Sequence, residues 1–297
     1  MYDTVIIGAG PAGLTSAIYL RRANKKVLVL ESKGYGGQIS GADKVENYPG
    51  IAMISGIELA ENLYNQAKDM GAEIKFETVK SVEKDKTVIT DGGTYKAKTV
   101  IIANGAAKRK LNLKKENDFI GKGVSYCATC DGNFFKGKTV TVVGGGNAAL
   151  EDALYLSDVA DKVYLVHQFD EFNGEEKYSE DLSQKNNVSF MMNSTVTSIN
   201  GSDKLETVTV TNGNKTAKDI STDGLFIAIG QEPKNELFSN VVELNDAGYI
   251  KCNDSVYTKT DGIFAAGDTR EKELRQLTTA VSDGSLAAAA ALKNMKG

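Results

Sequence analysis

The sequence predicts an α/β protein built from two Rossmann-like folds, the second inserted in the first. Three observations predict it. The chain opens on a β-branched apolar run that enters a glycine-rich turn and then a helical period. The same order of strand, glycine turn and helix recurs with Gly146 in the place of Gly10, 136 residues on. After the second copy the chain returns to short strands and to a glycine–acid turn, so C-terminal residues complete the first fold.

Taken in order, Thr4-Val5-Ile6-Ile7 is a strand, Gly8-Ala9-Gly10-Pro11-Ala12-Gly13 a tight turn, and Leu14 to Ala23 a helix. Gly8, Gly10 and Gly13 let the backbone turn sharply and approach a pyrophosphate, which sits on a helix N-terminus, here at Pro11 and Ala12. A second strand, Val27-Leu28-Val29-Leu30, ends in Glu31, 21 residues past Gly10, where a ribose-binding acid belongs. A carboxylate accepts from a free 2′-hydroxyl and repels a 2′-phosphate, so this site suits FAD or NAD and not NADP. An ordinary glycine turn is the alternative; the flanking strand, the helix and the timed acid weigh against it.

Gly34 to Gln38 and Glu46 to Gly50 are loops by composition, and Gly56 to Met70 has helical periodicity. Ile74 to Thr99 reads as short strands with Asp91-Gly92-Gly93 as a hairpin turn, and Thr99 to Ile102 runs as a strand into Ala103-Asn104-Gly105. Lys108 to Asp118 is a candidate linker or a solvated surface turn. In the second copy Thr139 to Val143 is the strand, Gly144-Gly145-Gly146-Asn147-Ala148-Ala149 the turn and Leu150 to Leu156 the helix, followed by strand Lys162 to Val166. A polar, strand-like stretch from Thr195 to Lys218 leads to Leu225 to Gly230, which echoes Ile101 to Gly105. Beyond Glu232-Pro233 come short strands, then Gly262 to Asp268, then Arg275-Gln276 and a core-packing helix over Ser285 to Leu292. The expected domains are 1–112 with 241–297, and 113–240.

Composition bounds the function. The chain has 297 residues, enough for two domains, with the 41% hydrophobic and 25% charged fractions of a globular protein. A net charge of −4 without a long basic run argues against nucleic acid as a partner. No apolar run reaches transmembrane length and no signal-type leader precedes the first strand, so the expectation is a cytoplasmic protein without a membrane partner.

Cys127-Ala128-Thr129-Cys130-Asp131 places two cysteines at a spacing that opens and closes a disulfide. A buried inert pair and half of a zinc site are the alternatives. Zinc wants about four ligands, and the other soft candidates, Cys252 and His167, are distant in sequence. Three cysteines make no disulfide framework, and a dithiol keeping company with two dinucleotide folds points to redox cycling, with no metal site and a structural role for Cys252.

On these residues the chain resembles the low-molecular-weight, bacterial-type thioredoxin reductases over essentially its whole length. The resemblance rests on Gly8 to Gly13, Gly36-Gly37-Gln38, Asn47-Tyr48-Pro49-Gly50, Cys127 to Asp131, Gly144 to Ala149, and Gly267-Asp268 with Arg275-Gln276. It implies folds of the pyridine nucleotide-disulfide oxidoreductase type, with an FAD domain interrupted by a pyridine-nucleotide domain, a homodimer, and reduction of thioredoxin. Gly37, Gln38, Asn47 and Gly105 would join the FAD site. Gly267-Asp268 would hold the ribityl and pyrophosphate region, and Arg275-Gln276 would lie near the flavin ring. Cys130 would face the flavin and Cys127 would attack the partner disulfide, with Asp131 as the acid. The family's domain rotation would hinge near Lys110 to Lys115 and Gln231 to Asn235. Phe134 and Phe135 read either as a docking pair for thioredoxin or as core.

One departure bears on the electron donor. Where the family carries His-Arg-Arg and a further arginine to clamp the 2′-phosphate of NADPH, this chain reads His167-Gln168-Phe169-Asp170-Glu171-Phe172-Asn173. His167 stands where an NAD-type fold times its acid. Asn104 replaces a usual threonine, and a proline after Lys110 is missing. Three readings follow: a reductase using NADH, with NADPH disfavoured; a nucleotide-independent reductase fed by ferredoxin; and a non-enzymatic FAD redox sensor.

Overall fold

The computed structural model describes residues 1–42, 44–252 and 255–296. The chain divides into two compact units, Met1–Ala107 with Glu232–Gly297, and Lys108–Gln231.

In the first unit, β1 (Tyr2–Ile7), α1 (Pro11–Arg22), β2 (Val27–Glu31), α2 (Gly56–Asp69) and β3 (Glu73–Phe76) form the opening α/β run. β4 (Val79–Val82), β5 (Thr87–Thr90) and β6 (Thr94–Ile102) follow as an antiparallel meander. Among the described residues they make one sheet in the order β3-β2-β1-β6-β5-β4. The stretch read as a strand at 99–102 is the inner end of β6. There it pairs in parallel with β1, Ile6 opposite Ile101, and with the late strand β17 (Ile263–Ala265).

Strand periodicity explains the two cores. Ile6, Val29 and Ile101 enter the cluster under α1 and the C-terminal helix α6 (Leu277–Asn294), while Val5, Leu28, Leu30 and Val100 enter the opposite one. α6 begins eight residues before the helix expected from sequence, because Gln276 and Thr279 close a capping box. It lies tightly on α1: a Cβ at Gly284 would stand 2.3 Å from the Ala12 carbonyl oxygen, and Ser16 Oγ donates to the Gly284 carbonyl.

The second unit has a wholly parallel sheet. β8 (Val124–Ser125), β9 (Thr139–Val143), β10 (Lys162–Val166), β11 (Val188–Met191) and β15 (Gly224–Ile227) lie in the order β11-β10-β9-β15-β8. Val140, Val142 and Leu165 face α4 (Asn147–Ser157). Val143, Val166 and Leu225 face the antiparallel sheet of β12 (Ser194–Asn200), β13 (Thr207–Asn212) and β14 (Ala217–Ser221). α5 (Glu176–Ser183) has no counterpart in the sequence reading: Leu182 is its one fully covered side chain, too little to print a helical period.

The divisions fall at 107/108 and 231/232, where the sequence reading set 112/113 and 240/241. Glu116 accounts for the first shift. Its carboxylate accepts from the backbone N–H of Leu111 and of Leu113, each at 3.1 Å, and from the Tyr126 hydroxyl, fastening 110–116 within the second unit. Phe238, Val241 and Val242 account for the other, because they pack among Val5, Val100 and Ile263. The crossing strands β7 (Ala106–Lys108) and β16 (Gln231–Pro233) pair with each other.

Candidate functional site

The first glycine turn is shaped by steric necessity. Gly8 has φ of 106°, and a Cβ there would lie 2.3 Å from the Ala103 carbonyl oxygen; at Gly13 it would lie 2.0 Å from the Gly8 oxygen. At Gly10 only the Gly37 Cα comes near, at 4.0 Å, so the backbone mouth is open at the N-terminus of α1. Glu31 closes the turn, accepting from Ala9 N at 2.8 Å and Lys33 N at 2.9 Å.

The other expected residues of this unit gather around that mouth. Gly36 N donates to Ala9 O, Gln38 Nε2 to Ala106 O next to Gly105, and a Cβ on Gly267 would meet the Ala12 methyl at 2.9 Å. Asn47 Nδ2 donates to Gln276 Oε1 at 3.3 Å, uniting two loops far apart in sequence. The Arg275 guanidinium stacks over the Tyr249 ring at 4.0 Å, and its buried Nε has no hydrogen-bond partner among the described residues. Asn104 is absorbed into a polar network: it donates to Asn235 Oδ1 and accepts from Thr269 Oγ1 at 2.8 Å. An open backbone cradle at a helix N-terminus with a fixed carboxylate 21 residues on fits FAD.

Asp283 of α6 organises the Gly267-Asp268 turn. It accepts from Gly267 N at 3.0 Å, from Arg270 Nε at 3.0 Å and from Lys272 Nζ at 3.0 Å. Burial alone would raise its pKa, but the Arg270 hydrogen bond and the Lys272 charge outweigh burial and hold the carboxyl below its ordinary value. A depressed folded pKa gives stability that is present above the unfolded carboxyl range and lost as pH falls through the folded value. Asp283→Asn is therefore expected to cost about 3–5 kcal/mol at neutral pH, by leaving the Arg270 guanidinium without its carboxylate and Lys272 with Asp268 alone, and to flatten the acid limb of the stability–pH curve. Urea titrations of wild type and variant between pH 4 and 8 check it.

The second turn repeats the first. Gly144 has φ of 146° with a Cβ position 2.3 Å from the Ala228 carbonyl oxygen, and nothing lies within 4 Å of a Cβ at Gly146, the N-cap of α4. Asn147 at the first turn of that helix accepts from Glu175 N at 2.7 Å and donates to Glu175 Oε1 at 3.1 Å, and Ala148 follows it. The turn fits a pyridine dinucleotide. His167, at the place of Glu31, is buried with its ring against Gly145 and its Nε2 3.0 Å from the Glu171 carbonyl oxygen. Its ring also contacts Phe169 and Phe172. The exposed edge beyond β10 carries Gln168, Phe169, Asp170 and Glu171, and residues 163–176 contain no lysine or arginine.

Cys127 and Cys130 form a disulfide with Cα atoms 5.3 Å apart, Cys127 as the N-cap of the one-turn helix α3 (Ala128–Asp131) and Cys130 within it. Ser125 ties the turn together, donating to Asp131 Oδ2 at 2.6 Å and accepting from Cys127 N at 3.1 Å. Both cysteines are partly exposed, so the pair is not a buried one. Cys252 lies in the first unit's core, where burial pushes its thiol up to about 11. Phe135 is buried edge-on against Phe226, with Phe134 packed on the same cluster, so these aromatics serve the core. Ser125 was not singled out from sequence; a serine on a short strand carries no pattern of its own.

Two glycine cradles and a disulfide on the second fold define a dinucleotide-dependent disulfide oxidoreductase, and the family described as pyridine nucleotide-disulphide oxidoreductase matches residues 2–284. The chain is 44% identical over 293 residues to the thioredoxin reductase of Bacillus subtilis, covering 97% of this chain and 93% of that one. It is 43% identical to the thioredoxin reductase of Treponema pallidum, covering 98% and 96%. The crystal structure of thioredoxin reductase from Streptococcus pyogenes superposes with a TM-score of 0.93 at 39% identity, over 100% of this chain and 98% of that one. The chain belongs to the thioredoxin reductases of that family. No helix among the described residues is long and apolar enough to cross a membrane.

Proposed function

We propose that this chain reduces thioredoxin with electrons from NADH in preference to NADPH, through FAD in the first unit and the Cys127–Cys130 pair in the second, as a cytoplasmic homodimer. When bound, FAD supplies the two-electron relay that side chains lack. Gly8, Gly10, Pro11, Ala12, Gly13 and Glu31, with Gly37, Gln38, Asn47, Gly105, Gly267, Asp268, Arg275 and Gln276, would hold it. Gly144, Gly146, Asn147 and Ala148 would hold the pyridine nucleotide.

The chain's own chemistry lies in the dithiol. The Cys127 thiolate bonds to one sulfur of the partner's disulfide, and the other sulfur leaves as a thiolate that takes a proton from Asp131. Cys130 then displaces the partner from Cys127. The pair ends as a disulfide and the partner gains two electrons. Ser125, bonded to Asp131 and to the backbone at Cys127, keeps the acid beside the sulfurs. The paired crossing strands β7 and β16 are the proposed hinge for moving the dithiol between its two partners.

The observation that carries the choice of donor is the edge after β10. A 2′-phosphate there would meet Gln168, Phe169, Asp170 and Glu171 with no guanidinium in reach by sequence, whereas a free 2′-hydroxyl needs no counter-charge. The same missing clamp supports feeding by ferredoxin as the second reading. Steady-state thioredoxin reduction with NADH, NADPH or reduced ferredoxin separates them. NADH is expected to exceed NADPH by at least about 10-fold in kcat/KM, from one lost charge-assisted contact. Equal or better use of NADPH overturns the proposal, and turnover with ferredoxin alone transfers it to the second reading.

A further inference from the structure

The backbone of the dithiol turn is fixed on both sides of Thr129. Before it, the Cys127 carbonyl oxygen accepts from Asp131 N at 3.1 Å, and Ala128 is fully buried in one cluster with Leu150, Ala153 and Leu156. After the pair, Gly132 sits so close to α4 that a Cβ would lie 2.6 Å from the Tyr155 ring and 3.1 Å from Leu156. With Ala128 turned into the core, Thr129 is exposed, and its hydroxyl oxygen lies 3.4 Å from Cys127 Sγ. A disulfide sulfur carries no proton, so in this bond the hydroxyl donates.

We propose that Thr129 is a catalytic residue whose hydroxyl donates to the Cys127 sulfur and stabilises it as a thiolate, a role that rests on Cys127 being the sulfur that attacks the partner disulfide. Two-electron reduction, with the electrons supplied through FAD, breaks the S–S bond and, with one proton taken up, leaves one thiol and one thiolate. A hydroxyl bonds weakly to a neutral sulfur and about twice as strongly to a charged acceptor, so it acts mainly on the reduced state. It lowers the thiol pKa and enlarges the thiolate fraction at neutral pH. In exchange the thiolate loses some intrinsic nucleophilicity, which falls as pKa falls. The charged groups of the turn and of α4 packed against it are Asp131, Glu151 and Asp152, and Tyr126 beside Cys127 donates to Glu116. A carboxylate near a thiolate disfavours it, whereas the Thr129 hydroxyl is a neutral donor that favours it. A change at Thr129 removes none of these carboxylates, so they form a common background for its variants. This role is distinct from that of Asp131, which gives a proton to the leaving sulfur.

Thr129→Val keeps the β-branched shape and removes the donor, and Thr129→Ser keeps the donor. In the reduced, FAD-loaded enzyme under anaerobic conditions, iodoacetamide alkylation is followed across the thiol titration, from about pH 5.5 to 10, with mass spectrometry to identify the labelled cysteine. Thr129→Val is expected to move the Cys127 inflection up by about one pH unit. Its alkylation should be about 3-fold slower than wild type below the inflection and about 3-fold faster on the alkaline plateau, because a thiolate of higher pKa is scarcer but more nucleophilic. Thr129→Ser is expected to follow wild type. A Thr129→Val profile superposable on wild type overturns the proposal. So does one that is slower at every pH without crossing wild type, or a Thr129→Ser profile displaced as far as that of Thr129→Val, since shape and access would then be the cause. Labelling of Cys130 in place of Cys127 in wild type overturns instead the reading of Cys127 as the attacking sulfur, and this role with it.

Discussion

Cys127→Ser and Cys130→Ser are each expected to lower thioredoxin reduction by at least about 1000-fold, because residues that act as one unit lose nearly all of their effect when either is removed. The two variants separate in what they trap. Cys130→Ser keeps the attacking thiolate and lacks the one that resolves, so it should accumulate a covalent mixed disulfide with thioredoxin. Cys127→Ser should accumulate none. Non-reducing electrophoresis with mass spectrometry of the bridged peptide reads this directly. Trapping by Cys127→Ser in place of Cys130→Ser would exchange the roles of the two sulfurs. The assignment stands on their partly exposed position, the Ser125 bonds that steady the Cys127 backbone, and the resemblance from which the order of attack comes.

The second large effect is a gain. Gln168→Arg with Phe169→Arg is expected to raise kcat/KM for NADPH by about 10-fold or more and to change that for NADH by less than about 3-fold. A charge-assisted hydrogen bond to a phosphate contributes about 1.5–3 kcal/mol, and 1.4 kcal/mol is a factor of about ten. Solvent screening at an exposed edge argues for the lower end of that range. Gln168 and Phe169 are both exposed, and Phe169 contacts His167 edge-on, so the buried imidazole against Gly145 remains to shape the turn. Steady-state kinetics with each nucleotide checks the pair of values. A parallel rise for both nucleotides would point to a general electrostatic effect in place of 2′-phosphate recognition.

What the sequence carried clearly was set by the backbone. Gly8 and Gly144 occupy conformations with positive φ and no room for a Cβ, and the β-branched strands beside them alternate faces between two cores; both constraints are written in residue type and spacing. Glu31 was legible for the same reason, since strand and turn lengths fix where the second strand ends. The features that were missed depend on single contacts between distant residues. Glu116 moves the first crossing point upstream through bonds to Leu111 and Leu113, inside a stretch that reads only as charged. The Gln276–Thr279 capping box starts α6 at Leu277, in a turn where Thr278, Thr279, Ser282 and Asp283 dilute the apolar positions Leu277, Ala280 and Val281.

The central claim is that this reductase draws on a pyridine nucleotide lacking the 2′-phosphate. Its most direct test is anaerobic stopped-flow mixing of the oxidised, FAD-loaded enzyme with NADH or NADPH at matched concentrations, following flavin absorbance. Fast, saturable bleaching with NADH and bleaching with NADPH at least about 10-fold slower at sub-saturating concentration is the result predicted from the arginine-free edge after β10. Fast bleaching at low NADPH would contradict it.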